Sequence, residues 1–157
     1  MSAKPVVHST IVLERTYPAS PARVYAAWAD PETKARWFIG PEGWRLVKRE
    51  LDLRVGGHEL LHGVFGDGPE TIFSARYHDV VADRRLVYVY DMHHGGTHLS
   101  VSLVTVEIHP AGAGAHLRLT EQAAFVDGND GAASRERGNA AHLDRLGALL
   151  GGGTVRP

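Results

Sequence analysis

An amphipathic helix at the end of the chain, after a long series of short β-rich runs, constrains the fold most. Between Ala132 and Leu150, apolar residues including Leu143 and Leu146 recur at helical spacing. A sheet built from the preceding runs must bury one face. This helix is the only predicted element long enough to cover that face, so the sequence predicts a sheet wrapped around one helix.

The β-rich runs are predicted to form an antiparallel meander. The first run, Val6–Tyr17, is rich in β-branched residues and alternates with a period of two. Six further runs are separated by turn residues such as Gly56-Gly57 and Gly95-Gly96. These runs are Trp44–Val55, His58–Phe65, Thr71–Val80, Leu86–Met92, His98–Ile108 and His116–Phe125.

Two helix starts follow the first strand, at Ser20-Pro21 and Asp30-Pro31. In each, a side chain that can cap a helix precedes a proline that suits the first helical position. The predicted helices are Pro21–Trp28 and Pro31–Phe38. The expected fold is therefore α+β, with a seven-stranded curved antiparallel sheet around a long C-terminal helix. A cavity between the sheet and this helix is the natural ligand site.

Length and composition predict a single soluble domain. The 157 residues suit one domain, with a core over residues 6–150 and a frayed tail at 151–157. Seventeen basic and eighteen acidic side chains nearly cancel, so we expect neither nucleic acid binding nor membrane insertion. The segment Met1–Thr16 lacks the apolar run of a secretory signal, and we expect a cytoplasmic protein. Cysteine is absent, which excludes disulfides and thiolate ligands.

Several segments resemble the START-like (SRPBCC, helix-grip) superfamily, in the branch named after the C-terminal domain of the heat-shock-protein-90 ATPase activator. The similarity extends from about Ile11 to Leu150. Many relatives carry a Gly-Trp pair early in the last helix, whereas here Gly138 is followed by Asn139, so stacking on that tryptophan is not carried over. The similar segments are Glu14–Glu32, Ala35–Phe38, Leu53–Gly57, Val104–Ile108, Leu117–Gln122 and Leu143–Leu146.

This resemblance implies a cavity protein without fixing its activity, since the superfamily includes lipid carriers, hormone receptors, polyketide cyclases and co-chaperones. We expect binding of a small, largely hydrophobic molecule, without a cofactor or metal. One alternative is a polyketide cyclase-like enzyme, with Glu121 and a tyrosine or His142 as acid–base residues. A second is a co-chaperone-like interaction module, although we do not expect a chaperone partner. An uncovered edge strand would allow a homodimer.

Glu121 is the main candidate for a polar group in the cavity. It shares a strand face with apolar residues that include Leu119 and Ala123. A carboxylate on such a face either serves the site, as an anchor or a general acid, or forms a structural ion pair. For the ion pair, Arg54 and Arg76 are the predicted partners.

Other candidate ligand-binding residues are aromatic or belong to the last helix. Each group has a structural alternative: plain core for the tryptophans and Phe38, the surface for the tyrosines, and a solvated shoulder for the helix residues. A glycine inside a helix costs about 1 kcal/mol, which predicts a close approach of the ligand or the sheet to Gly138. The candidates are Trp28, Trp37, Phe38, Tyr88, Tyr90, Gly138, Asn139, His142 and Leu143.

Two histidine patterns are not expected to bind a metal. His58-Glu59-Leu60-Leu61-His62 matches the zinc-protease motif, but the flanking glycines predict a strand. On a strand its two histidines stand roughly 13 Å apart and could not share one zinc ion. The second group, His93, His94 and His98, flanks a Gly-Gly pair and is predicted to be a solvated loop.

Overall fold

The computed structural model describes residues 3–151, which form one antiparallel sheet and three helices. The seven strands are hydrogen-bonded in the order β1-β7-β6-β5-β4-β3-β2. This arrangement confirms the predicted fold class. Along the chain, the elements are β1 (Val7–Tyr17), α1 (Pro21–Ala29), α2 (Pro31–Lys34), β2 (Trp44–Leu51), β3 (His58–Phe65), β4 (Glu70–Val81), β5 (Arg85–His94), β6 (Thr97–Ala111), β7 (Gly114–Phe125) and α3 (Ala132–Leu149).

The predicted caps begin both short helices. Ser20 Oγ accepts a hydrogen bond from the Arg23 amide at 3.1 Å, and Asp30 Oδ2 accepts one from the Thr33 amide at 3.1 Å. The predicted end of the second helix at Phe38 is wrong, because α2 ends at Lys34. Beyond it the chain continues in tighter turns, which bury the ring of Trp37 and let its indole nitrogen donate to the Ala27 carbonyl at 2.9 Å.

The first of the meander strands is also shorter than predicted. β2 ends at Leu51 rather than at Val55, since the Arg54 amide bonds the Asp52 carbonyl and the Gly57 amide bonds the Arg54 carbonyl. These short-range bonds form a turn instead of a ladder. Of the predicted frayed tail, residues 152–157 lie outside the described residues. No helix in the described part of the chain is long and apolar enough to cross a membrane.

The two halves of α3 differ in how they contact the sheet. Its buried residues, Leu143, Leu146 and Gly147, all lie in the second half. There the Tyr17 hydroxyl donates to the Leu143 carbonyl at 2.9 Å, which ties the helix to β1. The first half stands over the sheet with a space beneath it. The fold therefore anchors one end of α3 in the core and leaves a cavity under the other.

Candidate functional site: a cavity beneath α3

A cavity of about 400 Å³ lies between the sheet and the first half of α3. This volume is within the usual range for small-molecule sites. Apolar side chains such as Leu61, Met92 and Leu119 form part of its wall. Seven aromatic side chains also line it: Phe38, Trp44, Phe65, Phe73, Tyr88, Tyr90 and Phe125.

One face of α3 forms the roof of this cavity. Gly131, Arg135, Gly138 and His142 all line it and recur at intervals of three or four residues, which places them on one helix face. A Cβ atom added at Gly138 would meet no atom within 4 Å. Close approach of the sheet therefore does not explain this glycine, and its missing side chain leaves space at the cavity wall.

Glu121 on β7 is the centre of a buried polar network. Its Oε2 atom accepts hydrogen bonds from the Tyr90 hydroxyl at 2.6 Å, the Ser102 hydroxyl at 2.6 Å and Arg135 Nη1 at 2.7 Å. Its Oε1 atom accepts one from Asn139 Nδ2 at 2.9 Å. The carboxylate thus joins three strands of the sheet to the first half of α3.

Arg135 neutralises Glu121. Its Nη1 atom also donates to the Tyr90 hydroxyl at 2.7 Å, and its Nη2 atom donates to Ser100 Oγ at 2.7 Å. Burial alone would lower the pKa of Arg135, but Tyr90 and Glu121 together raise it. Burial and the Glu121 charge raise the pKa of Tyr90. The network is therefore an ion pair whose hydroxyl partners stay protonated.

His142 closes the cavity near the segment that follows α2. Its Nε2 atom lies 3.1 Å from the Ile39 carbonyl, which also accepts a hydrogen bond from Arg145 at 2.6 Å. The imidazole packs 4.8 Å from the ring of Phe38. Burial, and then the Arg145 charge, lower the pKa of His142 to about 4. The ring is therefore neutral at pH 7 and donates its Nε2 proton to Ile39.

Tyr88 places an unpaired hydroxyl at the cavity. Its ring is buried between Phe73, Tyr77 and Tyr90, with centroids 5.2 to 6.5 Å away. The hydroxyl makes no hydrogen bond among residues 3–151, and it is not one of the fully buried unpaired atoms, so it is open to the cavity that the side chain lines. Burial, followed by the charge of Glu59, raises its pKa well above the usual value, so this hydroxyl is protonated.

Trp44 forms the wall on the β2 side. An added Cβ atom at Gly63 or Gly40 would overlap the indole, so these glycines make room for it. Its Nε1 atom donates to Thr71 Oγ1 at 3.0 Å. Trp44 was not among the predicted ligand-binding residues. Gly63 inside a predicted strand was the available signal, because glycine in a strand often marks such a close approach.

Three of the predicted site residues do not line the cavity. Trp28, Trp37 and Leu143 are at most 3% exposed and lie in the core. The rings of Trp28 and Trp37 pack edge to face at 4.7 Å. The predicted residues that the structure brings together on the cavity wall are Phe38, Tyr88, Tyr90, Glu121, Gly138, Asn139 and His142.

The predicted partners of Glu121 are wrong. Arg54 pairs with Asp52 at 2.9 Å, and Arg76 lies exposed on β4. The partner is Arg135, which lies one turn before Asn139 on α3. Ser100 and Ser102 were missed as well. Their position on the buried face of β6, among alternating valines, was the signal that could have found them.

The zinc-protease-like motif is a strand, as predicted. His58 and His62 bond different carboxylates, Glu50 at 3.1 Å and Glu70 at 2.8 Å. Glu59 is buried and pairs with Lys34 at 2.7 Å, outside the cavity. Burial is the main cause that lowers the pKa of Lys34, and Glu59 opposes it. The motif therefore supplies a structural ion pair.

The predicted histidine loop is instead part of a hairpin at the cavity rim. His93 and His94 end β5 and line the cavity. His93 stacks on His98 with centroids 4.6 Å apart, and His98 bonds Asp91 at 2.8 Å.

Comparison with known families gives one match, to the family described as activator of Hsp90 ATPase homolog 1-like protein, over residues 18–151. No curated protein matches the chain.

Solved bacterial structures share the fold. The Mll3558 protein from Rhizobium loti is 44% identical, with a TM-score of 0.86 over 92% of this chain and 98% of that one. An uncharacterised protein from Rhizobium leguminosarum is 35% identical, with a TM-score of 0.90 over 96% of this chain and 99% of that one. An AHSA1-like protein from Aeromonas hydrophila is 25% identical, with a TM-score of 0.72 over 91% and 92% of the two chains.

Proposed function

The chain belongs to the activator of Hsp90 ATPase homolog 1-like family, and we propose that it binds a small, largely apolar molecule in the cavity beneath α3. The observation that carries this proposal is the cavity itself. Its volume of about 400 Å³ is bounded mainly by apolar surface, and the polar groups Glu121, Arg135 and Asn139 on its wall are bonded to one another. This combination is typical of sites for small molecules.

The polar groups of the wall support binding over proton transfer. Glu121 already accepts four hydrogen bonds, and it is paired with Arg135. His142 uses one ring nitrogen on the Ile39 carbonyl. A cyclase-like reaction would require one of these two residues to exchange a proton with substrate. The four donors around Glu121 oppose its protonation, and the Nε2 proton of His142 is held by Ile39.

The test is a fluorescence titration with N-phenyl-1-naphthylamine, a neutral apolar dye. We expect Gly138→Trp to weaken binding by about tenfold or more, because the new ring occupies space at the wall where no atom lies within 4 Å of the added Cβ. Arg137→Trp is the matched control, since Arg137 is exposed and does not line the cavity. Equal dye binding by the wild type and both variants would contradict the proposed site.

A further inference from the structure

We propose that the cavity selects neutral, ring-containing molecules that carry a carbonyl oxygen, and that the Tyr88 hydroxyl donates a hydrogen bond to that oxygen. This inference rests on the proposed function and adds the chemical class of the ligand. It depends on three features of the wall: one unpaired hydroxyl, balanced charges and a concentration of aromatic rings.

The unpaired hydroxyl distinguishes Tyr88 from the other buried tyrosines. The hydroxyls of Tyr17, Tyr77 and Tyr90 each donate a hydrogen bond of 2.6 to 2.9 Å within the protein. Tyr88 makes no such bond in the described part of the chain. Its side chain is only 6% exposed, but its hydroxyl oxygen is not among the fully buried unpaired atoms and is open to the cavity. Because this hydroxyl opens into a cavity whose surface is largely apolar, the bound molecule is its natural hydrogen-bond partner.

Tyr88 acts as a donor. A phenol donates a hydrogen bond better than it accepts one, because its oxygen lone pair is delocalised into the ring. Burial and the nearby carboxylates of Glu59 and Glu121 keep the hydroxyl protonated. The complementary group is an uncharged acceptor, for which a carbonyl oxygen is the common form.

The charges of the cavity wall exclude an ionic ligand. Glu121 and Arg135 lie 2.7 Å apart and neutralise each other, and the neutral His142 adds no charge. Asp127 also lines the cavity but lies in the loop between β7 and α3, where it bonds Asn129. Among the described residues that line the cavity, Arg135 is the one Lys or Arg and is already paired, while His93 and His94 lie at the rim. A buried ligand carboxylate would therefore lose its hydration without compensation.

The aromatic wall favours a ring in the ligand. Phe73 packs edge to face on Phe38 with ring centroids 5.0 Å apart, and in a tilted arrangement on Tyr90 at 4.7 Å. Such surfaces accept a further ring at comparable distances.

Three naphthalenes of similar size, measured by their displacement of N-phenyl-1-naphthylamine, separate the effects of the hydroxyl and of ligand charge. The first, 2-acetylnaphthalene, carries the carbonyl. The second, 2-ethylnaphthalene, lacks it, and 2-naphthoate carries a charge. We expect Tyr88→Phe to lower the affinity for 2-acetylnaphthalene by about fivefold, because the variant loses one neutral hydrogen bond to the carbonyl. Binding of 2-ethylnaphthalene should not change, which also shows that the variant is folded.

Tyr25→Phe is the matched control. Because Tyr25 does not line the cavity, this substitution should leave the affinities for all three compounds unchanged. Equal effects of Tyr88→Phe on the acetyl and ethyl compounds would overturn the role of Tyr88. Binding of 2-naphthoate as tight as that of 2-acetylnaphthalene would overturn the selection for neutral molecules. In both cases the proposed function would stand. Failure of the dye and all three naphthalenes to bind the wild type would overturn that function as well.

Discussion

Glu121 shows how a single residue can belong to both the site and the scaffold. Three donors converge on one of its carboxylate oxygens and one donor reaches the other. Removing its charge would leave Arg135, which is 11% exposed, without a counterion. Breaking a buried pair in this way is strongly destabilising.

We therefore expect Glu121→Gln to lower the free energy of unfolding by about 3 kcal/mol, measured by urea denaturation. Glu136→Gln is the same substitution at an exposed position of α3, and should change stability by less than about 0.5 kcal/mol. If the two variants were equally stable, the network would not hold the helix as described.

His142 makes stability depend on pH. Its pKa falls from 6.5 to about 4 on folding, so below pH 6.5 the unfolded chain binds a proton that the folded protein does not. The contribution of His142 to the free energy of unfolding is fully present above pH 6.5. It is lost as the pH falls towards 4, and the loss is about 3 kcal/mol at most.

In His142→Gln the side chain no longer titrates, so we expect its stability to fall less steeply than that of the wild type between pH 6.5 and 4. Urea denaturation at several pH values measures the difference in stability between the two proteins. The effects of carboxylates that titrate in both proteins cancel in this difference. Parallel curves for the two proteins would show that His142 is not buried in its neutral form.

At the scale of elements, α3 combines a packed half with a half held mainly by polar contacts. Leu143 and Leu146 fix the second half, whereas Arg135 and Asn139 tie the first half to Glu121 across the cavity. Segments with few buried apolar contacts open more readily.

Hydrogen exchange should resolve these two halves. We expect amides of residues 135–139 to exchange faster than those of residues 143–149, and bound N-phenyl-1-naphthylamine to slow the first group more than the second. Uniform protection along α3, with no change on dye binding, would contradict this division.

Local patterns predicted most of the elements, since alternation and capping act between near neighbours. The caps at Ser20 and Asp30 are where the prolines indicated. The early end of α2 could not be predicted in this way. It depends on the burial of Trp37 against α1, which is a tertiary contact that a helical pattern does not contain.

At the scale of the whole molecule, the alternation of β7 indicated that Glu121 faces the interior, and the structure agrees. It could not identify Arg135 as the partner, because that choice depends on how α3 lies across the sheet. For the same reason, spacing alone did not separate the cavity wall from the core positions of Trp28 and Leu143.

The homodimer stays a prediction, which sedimentation analysis can test.

The pairing of the first strand with the last has a consequence for synthesis. β1 is hydrogen-bonded to β7, and Tyr17 pairs with Ala115, about 100 positions later. At typical translation rates of about 5–20 residues per second, β1 waits roughly 5–20 s for that partner to be made. During this time its edge and apolar face are open to other nascent chains. We therefore expect the pairing of β1 to be a late step of folding, and β1 to need protection from aggregation until β7 has been made.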